Sequence, residues 1–180
     1  MEASSVTLPA HLEPQATAAG LPAAFERLFR AEYARVVAIA YRVVGDGALA
    51  EDVAQEVFLS FYRAHPADAA YAPAWLHAAA AHEALNALRG RVRRSRRDAA
   101  QAVPESAVAS DDPAEAVAAA ETRDEVRAVL ARLPERSAAL LALRYAGLSY
   151  TEVAAALDVR ASSIGTLLRR AEEAFRREMQ

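Results

Sequence analysis

Apolar residues recur every three or four positions through most of this 180-residue sequence. Phe25, Phe29 and Val36 belong to the first such series, and this spacing places their side chains on one face of an α-helix. No stretch alternates apolar and polar residues between hairpin turns. Alanine, which favours helix and fills little volume, supplies much of the 54% hydrophobic fraction. We therefore predict an all-α fold made of slim helical bundles with small cores.

Glycine and proline divide the first half of the chain into three predicted helices. The first ends at Gly45, because glycine tolerates the left-handed conformation that closes many helices. The second ends at His65, because Pro66 disfavours helix at the residue before it. We expect a loop over residues 64–74 and a third helix that begins at Ala74 and runs into an arginine-rich segment.

The last third of the chain carries the signature of a helix-turn-helix. Ser149 is followed three residues later by Glu152, the spacing of a capping box in which each side chain bonds the other residue's free backbone amide. The helix that begins there is short, and the tight connection at residues 158–160 leads to a longer final helix. Two helices joined by a turn of this length are typical of the DNA-binding motif.

Charge is distributed unevenly along a chain whose net charge is only −3. Six arginines occur in the nine residues 89–97, whereas residues 98–125 contain eight acids and one arginine. All the basic residues are arginine, which together with the alanine content indicates a GC-rich genome more than a functional choice. The switch from basic to acidic predicts a binding surface followed by an acidic tether.

These patterns predict two small helical domains. Residues 1–20 have scattered prolines and no periodicity, which predicts a disordered leader. Residues 21–98 form the first predicted domain and residues 115–180 the second, which contains the helix-turn-helix. The acidic, proline-containing residues 99–114 are predicted to be a flexible linker between them.

Several function classes are excluded by composition. The chain has no cysteine, so disulfides, thiolate zinc sites and cysteine catalysis are ruled out. No apolar run approaches the roughly 20 residues that span a bilayer, and the N-terminus lacks the pattern of a secretory signal. We expect a soluble, cytoplasmic protein without membrane insertion. The absence of a phosphate-binding glycine loop or nucleophile motif predicts that it is not an enzyme and needs no cofactor.

Several segments, in order, resemble the extracytoplasmic-function (ECF) group of bacterial sigma-70 family sigma factors. AEDVAQEVFL at residues 50–59 is similar to the family's AEDLVQETFL helix, and Trp75-Leu76 before the arginines is similar to its promoter-reading helix. LPER at residues 133–136, LRY at 143–145 and GLSYTEVA at 147–154 are similar to its final domain. The resemblance covers residues 23–177 and implies promoter-directed transcription initiation.

The resemblance implies that the segment of residues 50–59 docks on the polymerase clamp. Asp52, Gln55 and Glu56 share one helical face and match the family's docking positions. The carboxylates of Asp52 and Glu56 are expected to pair with arginines of core RNA polymerase. Spacing alone is also consistent with an ordinary solvated helix face.

The first domain is expected to bind and help melt the −10 promoter element. The arginines are the phosphate-contact candidates, with a basic helix end that favours the helix dipole as the alternative. Base reading is expected from the 64–74 loop, where Tyr71 supplies an aromatic wall, and from an exposed face around His77, His82 and Asn86. The full set of candidates is Tyr71, Trp75, His77, His82, Asn86, Arg89, Arg91, Arg93, Arg94, Arg96 and Arg97.

A metal site at His77, His82 and Glu83 is not expected, because spacings of five and six residues do not place all three on one helical face. The sequence also departs from relatives at Ala81-His82, where an arginine–asparagine pair is common.

The second domain is expected to read the −35 element and to rest on the polymerase flap. Residues early in a recognition helix meet base edges, and flanking arginines meet phosphate. Ser162 or Ser163 is also a possible N-cap. Gly165 and Leu167 replace a frequent lysine and arginine of relatives, which changes the expected −35 preference. The candidates are Arg160, Ser162, Ser163, Thr166, Arg169 and Arg170.

Two binding functions compete with an initiating sigma factor. One is a sigma-like decoy that binds an anti-sigma protein without touching DNA, which the altered recognition helix favours and the arginine cluster opposes. The other is a helix-turn-helix repressor, which leaves the first domain's motifs unexplained and usually dimerises. An anti-sigma protein is the expected regulator of the initiating factor.

Overall fold

The structure, a computed structural model, describes residues 21–101 and 114–180. These residues form helices and connecting turns without a strand, which confirms the predicted all-α fold. The predicted leader over residues 1–20 and most of the predicted linker lie outside the described residues. The helices are α1 (Ala23–Val44), α2 (Gly47–Ala64), α3 (Ala72–Gln101), α4 (Ala114–Arg132), α5 (Glu135–Tyr145), α6 (Tyr150–Ala156) and α7 (Ala161–Glu178).

The helix ends follow from local chemistry. Gly45 closes α1 in the left-handed conformation at φ 66°, as predicted from glycine's freedom there. The Asp46 side chain accepts a hydrogen bond from the Leu49 backbone N–H at 3.0 Å and so caps α2. α2 ends at Ala64, immediately before His65 and Pro66.

Both ends of α3 differ from the prediction. The helix begins at Ala72 rather than Ala74 because proline is tolerated in a first turn, where its missing N–H has no helical partner. Pro73 therefore belongs to the helix and not to the loop. At the other end α3 continues through Gln101, so residues 99–101, predicted as linker, are helical.

The first three helices enclose an apolar core. Val53, Val57 and Phe61 line the inner face of α2 at steps of four residues and are buried. Phe25 of α1 meets the Phe58 ring of α2 edge-on at 6.3 Å between centroids. Because these helices present one apolar stripe each, packing α1, α2 and α3 together removes all three stripes from water.

The second domain packs α4, α5 and α6 against α7. Leu143 of α5 and Ile164 of α7 are fully buried in its centre. This core is continuous with that of the first domain, because α3 also packs against α4, α5 and α6. The two domains therefore lie directly against each other, with α3 between them. Within the described residues, no helix combines the length and the apolarity that crossing a membrane requires.

Candidate functional site

The outer face of α2 carries the residues predicted to dock on the polymerase clamp. Asp52, Gln55 and Glu56 are all exposed, while the intervening Val53 and Ala54 are buried. None of the three makes a hydrogen bond or ion pair with the described residues. Their polar groups are thus available to an outside partner.

An exposed apolar residue continues this face. Leu59 is one turn beyond Gln55 and Glu56, and it remains 41% exposed although it is a large hydrophobic side chain. Sequence reasoning missed Leu59. Its position four residues after Gln55, on the polar side of an otherwise amphipathic helix, was the available signal.

Aromatic rings cluster where α2, the loop of residues 65–71 and α3 meet. The ring centroids of His65 and Trp75 are 4.7 Å apart, and that of Tyr71 lies 5.8 Å from His65. The Tyr71 hydroxyl is 3.3 Å from His65 Nδ1. Buried Phe61 supports the cluster from below, stacked on His65 at 5.2 Å. The structure thus brings Tyr71 and Trp75 together and adds His65, which sequence reasoning had treated only as a helix end.

The prediction that His77 lies on an exposed face is wrong. The side chain is 3% exposed, and its Nε2 atom is 2.8 Å from Glu32 Oε2 on α1. This hydrogen bond satisfies a polar group buried between two helices. As placed here, His77 cannot reach DNA.

The other two residues of the predicted base-reading face, His82 and Asn86, are not buried as His77 is. Asn86 is exposed. His82 is half-exposed, with its Nδ1 atom 3.2 Å from Glu135 Oε1 of the second domain. Among the described residues, no three histidine, aspartate or glutamate side chains are grouped so as to hold a metal ion.

The arginine cluster separates into an exposed group and a half-buried pair. Arg93, Arg94, Arg96 and Arg97 are exposed, whereas Arg89 and Arg91 are half-buried. Arg89 Nε donates to the Ala131 carbonyl and Arg89 Nη2 to the Leu133 carbonyl, each at 3.2 Å. These carbonyls belong to the C-terminal end of α4, where helix geometry leaves acceptors without helical partners and the dipole favours a cation.

The predicted capping box at the start of α6 is confirmed. The Ser149 hydroxyl accepts the Glu152 backbone N–H at 3.3 Å, and the Ser149 backbone N–H donates to Glu152 Oε2 at 2.8 Å. Hydrogen bonds from the Ser149 backbone and hydroxyl, with a further contribution from Arg35, lower the pKa of Glu152 to about 2. The box fixes the start of the first helix of the helix-turn-helix.

The recognition helix α7 follows a turn in which Asp158 adopts a positive φ of 50°. Most of its predicted DNA-contacting residues are exposed, with Ser163 half-buried and Arg169 paired to Glu173 at 2.9 Å. The exposed members of the set are Arg160, Ser162, Thr166, Arg169 and Arg170. This helix end thus presents two hydroxyl side chains and three arginines to the outside.

Gly165 and Leu167 differ in their exposure on α7. Gly165 is exposed, and a Cβ added to it would meet the Tyr150 ring at an ordinary distance of 3.9 Å. Leu167 is half-buried and packs against the core. Tyr150, which sequence reasoning missed, is 44% exposed and lies under the Arg144 guanidinium at 5.6 Å.

A groove of about 500 Å³ runs beside α4, α5 and α7. Leu130, Leu141 and Phe175 form its apolar floor, and Arg42 of α1 lies on its rim. At its edge the Tyr145 hydroxyl donates to Glu172 at 3.1 Å. Burial and this hydrogen bond raise the pKa of Tyr145.

Comparison with known proteins agrees with this architecture. Residues 28–94 match the family model for Sigma-70 region 2, and residues 123–175 match the model for Sigma-70, region 4. The RNA polymerase sigma-H factor of Pseudomonas aeruginosa is 30% identical over 176 residues, which cover 87% of this chain and 86% of that protein. The two matched segments correspond to the two helical domains. The chain therefore belongs to the ECF group of the bacterial sigma-70 family, whose members are sigma factors for transcription initiation.

Proposed function

We propose that this sigma factor binds core RNA polymerase through the outer face of α2 and directs it to promoters through α3 and α7. The observation that carries the proposal is the outer face of α2, where Asp52, Gln55 and Glu56 are exposed and make no hydrogen bond or ion pair with the described residues. Exposed Leu59 adds an apolar anchor to this face. Two carboxylates and an amide beside an exposed apolar residue fit a basic partner surface with an apolar pocket.

The proposed role of the first domain in binding promoter DNA has two parts. Arg93, Arg94, Arg96 and Arg97 neutralise backbone phosphates, which gives affinity without sequence information. The rings of His65, Tyr71 and Trp75 provide the wall against which an unstacked −10 base rests. The exposed amide of Asn86 is the candidate for hydrogen bonding to a base edge.

In the second domain, the exposed start of α7 reads the −35 element from the major groove. Ser162 and Thr166 contact base edges, and Arg160, Arg169 and Arg170 contact phosphate. The groove over Leu130, Leu141 and Phe175 is the proposed seat of the polymerase flap, because its apolar floor fits an apolar segment of a partner. The protein itself performs no chemistry in this account, since the polymerase supplies it.

Core binding tests the α2 face directly. The triple variant Asp52→Ala, Gln55→Ala and Glu56→Ala is expected to weaken binding to purified core polymerase at least tenfold, because it removes the polar contacts of the face without touching the buried side. Glu121→Ala with Glu125→Ala, which removes two exposed carboxylates of α4, is the matched control and should bind as the unmodified protein does. Equal affinity of both variants would contradict the assignment.

A decoy that captures an anti-sigma protein is the second candidate. The observation in its favour is α7, where Gly165 and Leu167 supply no positive charge. A decoy needs neither core binding nor DNA binding. Core binding that depends on Asp52, Gln55 and Glu56 would therefore argue against the decoy. In that case we propose that the protein is a cytoplasmic initiating factor and that an anti-sigma protein regulates it.

A further inference from the structure

One serine interrupts the exposed arginines at the end of α3. Ser95 is preceded by Arg93 and Arg94 and followed by Arg96 and Arg97, and all five residues are exposed. The Ser95 hydroxyl makes no hydrogen bond with the described residues. Serine also favours helix less than arginine does, so neither packing nor helix propensity accounts for its presence. The hydroxyl is therefore open to an outside partner in the middle of a run of positive charges.

The arginines before Ser95 favour one class of partner. A guanidinium binds a carboxylate through two parallel hydrogen bonds. An enzyme whose peptide-binding groove carries carboxylates can therefore hold Arg93 and Arg94 and place the next residue at its active centre. A protein kinase with an acidic groove is such an enzyme, and it acts on a hydroxyl group. Ser95 is the only residue with a hydroxyl in residues 84–98, so this segment fits an arginine-directed serine kinase.

The end of α3 is free enough of the core to enter such a groove. Val92 is half-buried and packs against the core, whereas residues 93–97 are all exposed. Arg93 and Arg97 are one turn apart, and like charges at this spacing destabilise a helix. The Arg97 Nε atom donates to the Arg93 carbonyl at 3.4 Å, which is a long hydrogen bond. Opening this end of the helix breaks few buried contacts, and such local opening costs little free energy.

We propose that Ser95 is a phosphorylation site and that its phosphate switches off the DNA affinity of the arginine cluster. In the transfer step, Ser95 Oγ forms a bond to the γ-phosphorus of Mg·ATP and the bond from that phosphorus to ADP breaks. The hydroxyl proton passes to a carboxylate of the kinase. Phosphorylation itself does not depend on the proposed function, whereas its effect on promoter binding rests on it.

The phosphate acts on DNA binding through its charge. Phosphoserine carries about −1.5 to −2 charges at neutral pH, and it stands among four exposed arginines. Ser95 lies one turn after Arg91 and next to Arg94 and Arg96 in the chain, so its phosphate can accept charge-assisted hydrogen bonds from their guanidinium groups. An arginine engaged in this way no longer neutralises a phosphate of the promoter. About two DNA contacts should therefore be lost.

Mass spectrometry tests the modification. The full-length protein is incubated with Mg·ATP and a purified arginine-directed serine kinase, and is then cleaved after acidic residues, which leaves residues 84–98 as one peptide. Any phosphate on this peptide is on Ser95, its only hydroxyl residue. We expect the phosphopeptide from the unmodified protein and a rate at least about tenfold lower when Arg93 and Arg94 are both changed to alanine. A peptide that stays unmodified would overturn the proposal.

The same digest shows whether the site is used in cells. The protein is isolated from its own cells in several growth phases and cleaved in the same way. Phosphate on the peptide of residues 84–98 in at least one phase is the expected result. Its absence from every phase would overturn the proposed regulatory role of Ser95.

Affinity for a DNA duplex, measured over a salt series, tests the consequence. The phosphorylated protein should bind about ten- to a hundredfold more weakly, and the slope of log affinity against log salt should fall by about 2. Ser95→Glu adds one negative charge and should change the slope by about half as much. Ala34→Glu, at an exposed position of α1, is the matched control for an added charge and should bind as the unmodified protein does. Equal affinity of the phosphorylated protein and this control would contradict the switch.

Core binding separates this proposal from the proposed function. Phosphorylation changes no residue on the outer face of α2, so affinity for core polymerase should be the same before and after it. Circular dichroism confirms that the phosphorylated protein is folded. If the unmodified protein binds neither core nor DNA, the proposed function fails while phosphorylation of Ser95 stands. If core affinity falls as much as DNA affinity, the phosphate does not act on the arginine cluster alone and the proposed switch is wrong.

Discussion

The two helices that we propose bind promoter DNA, α3 and α7, differ in how much of their surface the rest of the molecule covers. The start of α7, which we propose binds DNA, is uncovered, and Arg160, Ser162 and Thr166 are exposed there. One stripe of α3 instead lies under the second domain, where Arg89 and His82 are engaged. The second domain thus covers one stripe of α3, while the start of its own helix α7 stays exposed.

The largest expected effect lies at the exposed end of α3. Replacing its four exposed arginines with alanine should lower affinity for a DNA duplex by ten- to a thousandfold and reduce the slope of log affinity against log salt by about 3 to 4. Fluorescence anisotropy over a salt series measures both. The residues changed are Arg93, Arg94, Arg96 and Arg97.

The arginines of α7 test whether phosphate affinity resides mainly in α3. Changing Arg160, Arg169 and Arg170 to alanine should have a smaller effect, because Arg169 is already paired with Glu173. Arg27→Ala with Arg30→Ala on α1 is the control for loss of charge alone. A greater loss from the α7 set than from the α3 set would reverse the assignment of phosphate affinity.

The second prediction tests whether the two regions unfold together. Leu143 is fully buried in the second domain, and Leu143→Ala should destabilise it by about 2–5 kcal/mol. Trp75 is the only tryptophan and reports on the first domain. If the domains share one core, urea unfolding followed by Trp75 fluorescence should shift as much as unfolding followed by circular dichroism. An unchanged fluorescence midpoint would show that the domains unfold independently.

The third prediction concerns the recognition helix. Gly165→Ala should stabilise the protein by up to about 1 kcal/mol, because alanine favours helix and its Cβ finds only ordinary contact with Tyr150. Gly147→Ala is the opposite case. Because Gly147 has a positive φ of 96°, this substitution should lower the free energy of unfolding by about 1 kcal/mol or more. Thermal unfolding measures both. Destabilisation by Gly165→Ala would indicate that the glycine is needed for the conformation of α7.

The smallest expected effect belongs to Glu152, which belongs to the capping box of α6 and also pairs with Arg35 of α1. Its pKa is lowered to about 2 from 4.5, so its charge contributes stability that is fully present above pH 4.5 and lost as the pH falls toward 2. Glu152→Gln keeps the cap and removes the charge, and should cost less than about 1 kcal/mol at neutral pH. The difference from the unmodified protein should shrink between pH 4.5 and 2. Glu56→Gln, which removes an exposed charge with no ion pair among the described residues, is the control for loss of charge alone.

Local features of the fold were predictable from the sequence. The end of α1 at Gly45 and the Ser149–Glu152 box depend only on neighbouring residues, and both are confirmed. His77 was predicted wrongly because an alanine-rich helix can bury either of its faces, and its burial depends on Glu32, 45 residues away. The position of Arg89 likewise depends on carbonyls 42 and 44 residues away. Contacts across such separations leave no periodic signal in the chain.

Run-off transcription tests the central claim most directly. Purified core polymerase, this protein and the DNA upstream of its own gene are combined, and core binding is measured in the same reactions. The account predicts specific transcripts that depend on the protein and that disappear when Arg93, Arg94, Arg96 and Arg97 are changed to alanine, while core binding persists. Absence of core binding by the unmodified protein would contradict an initiating sigma factor and favour the decoy.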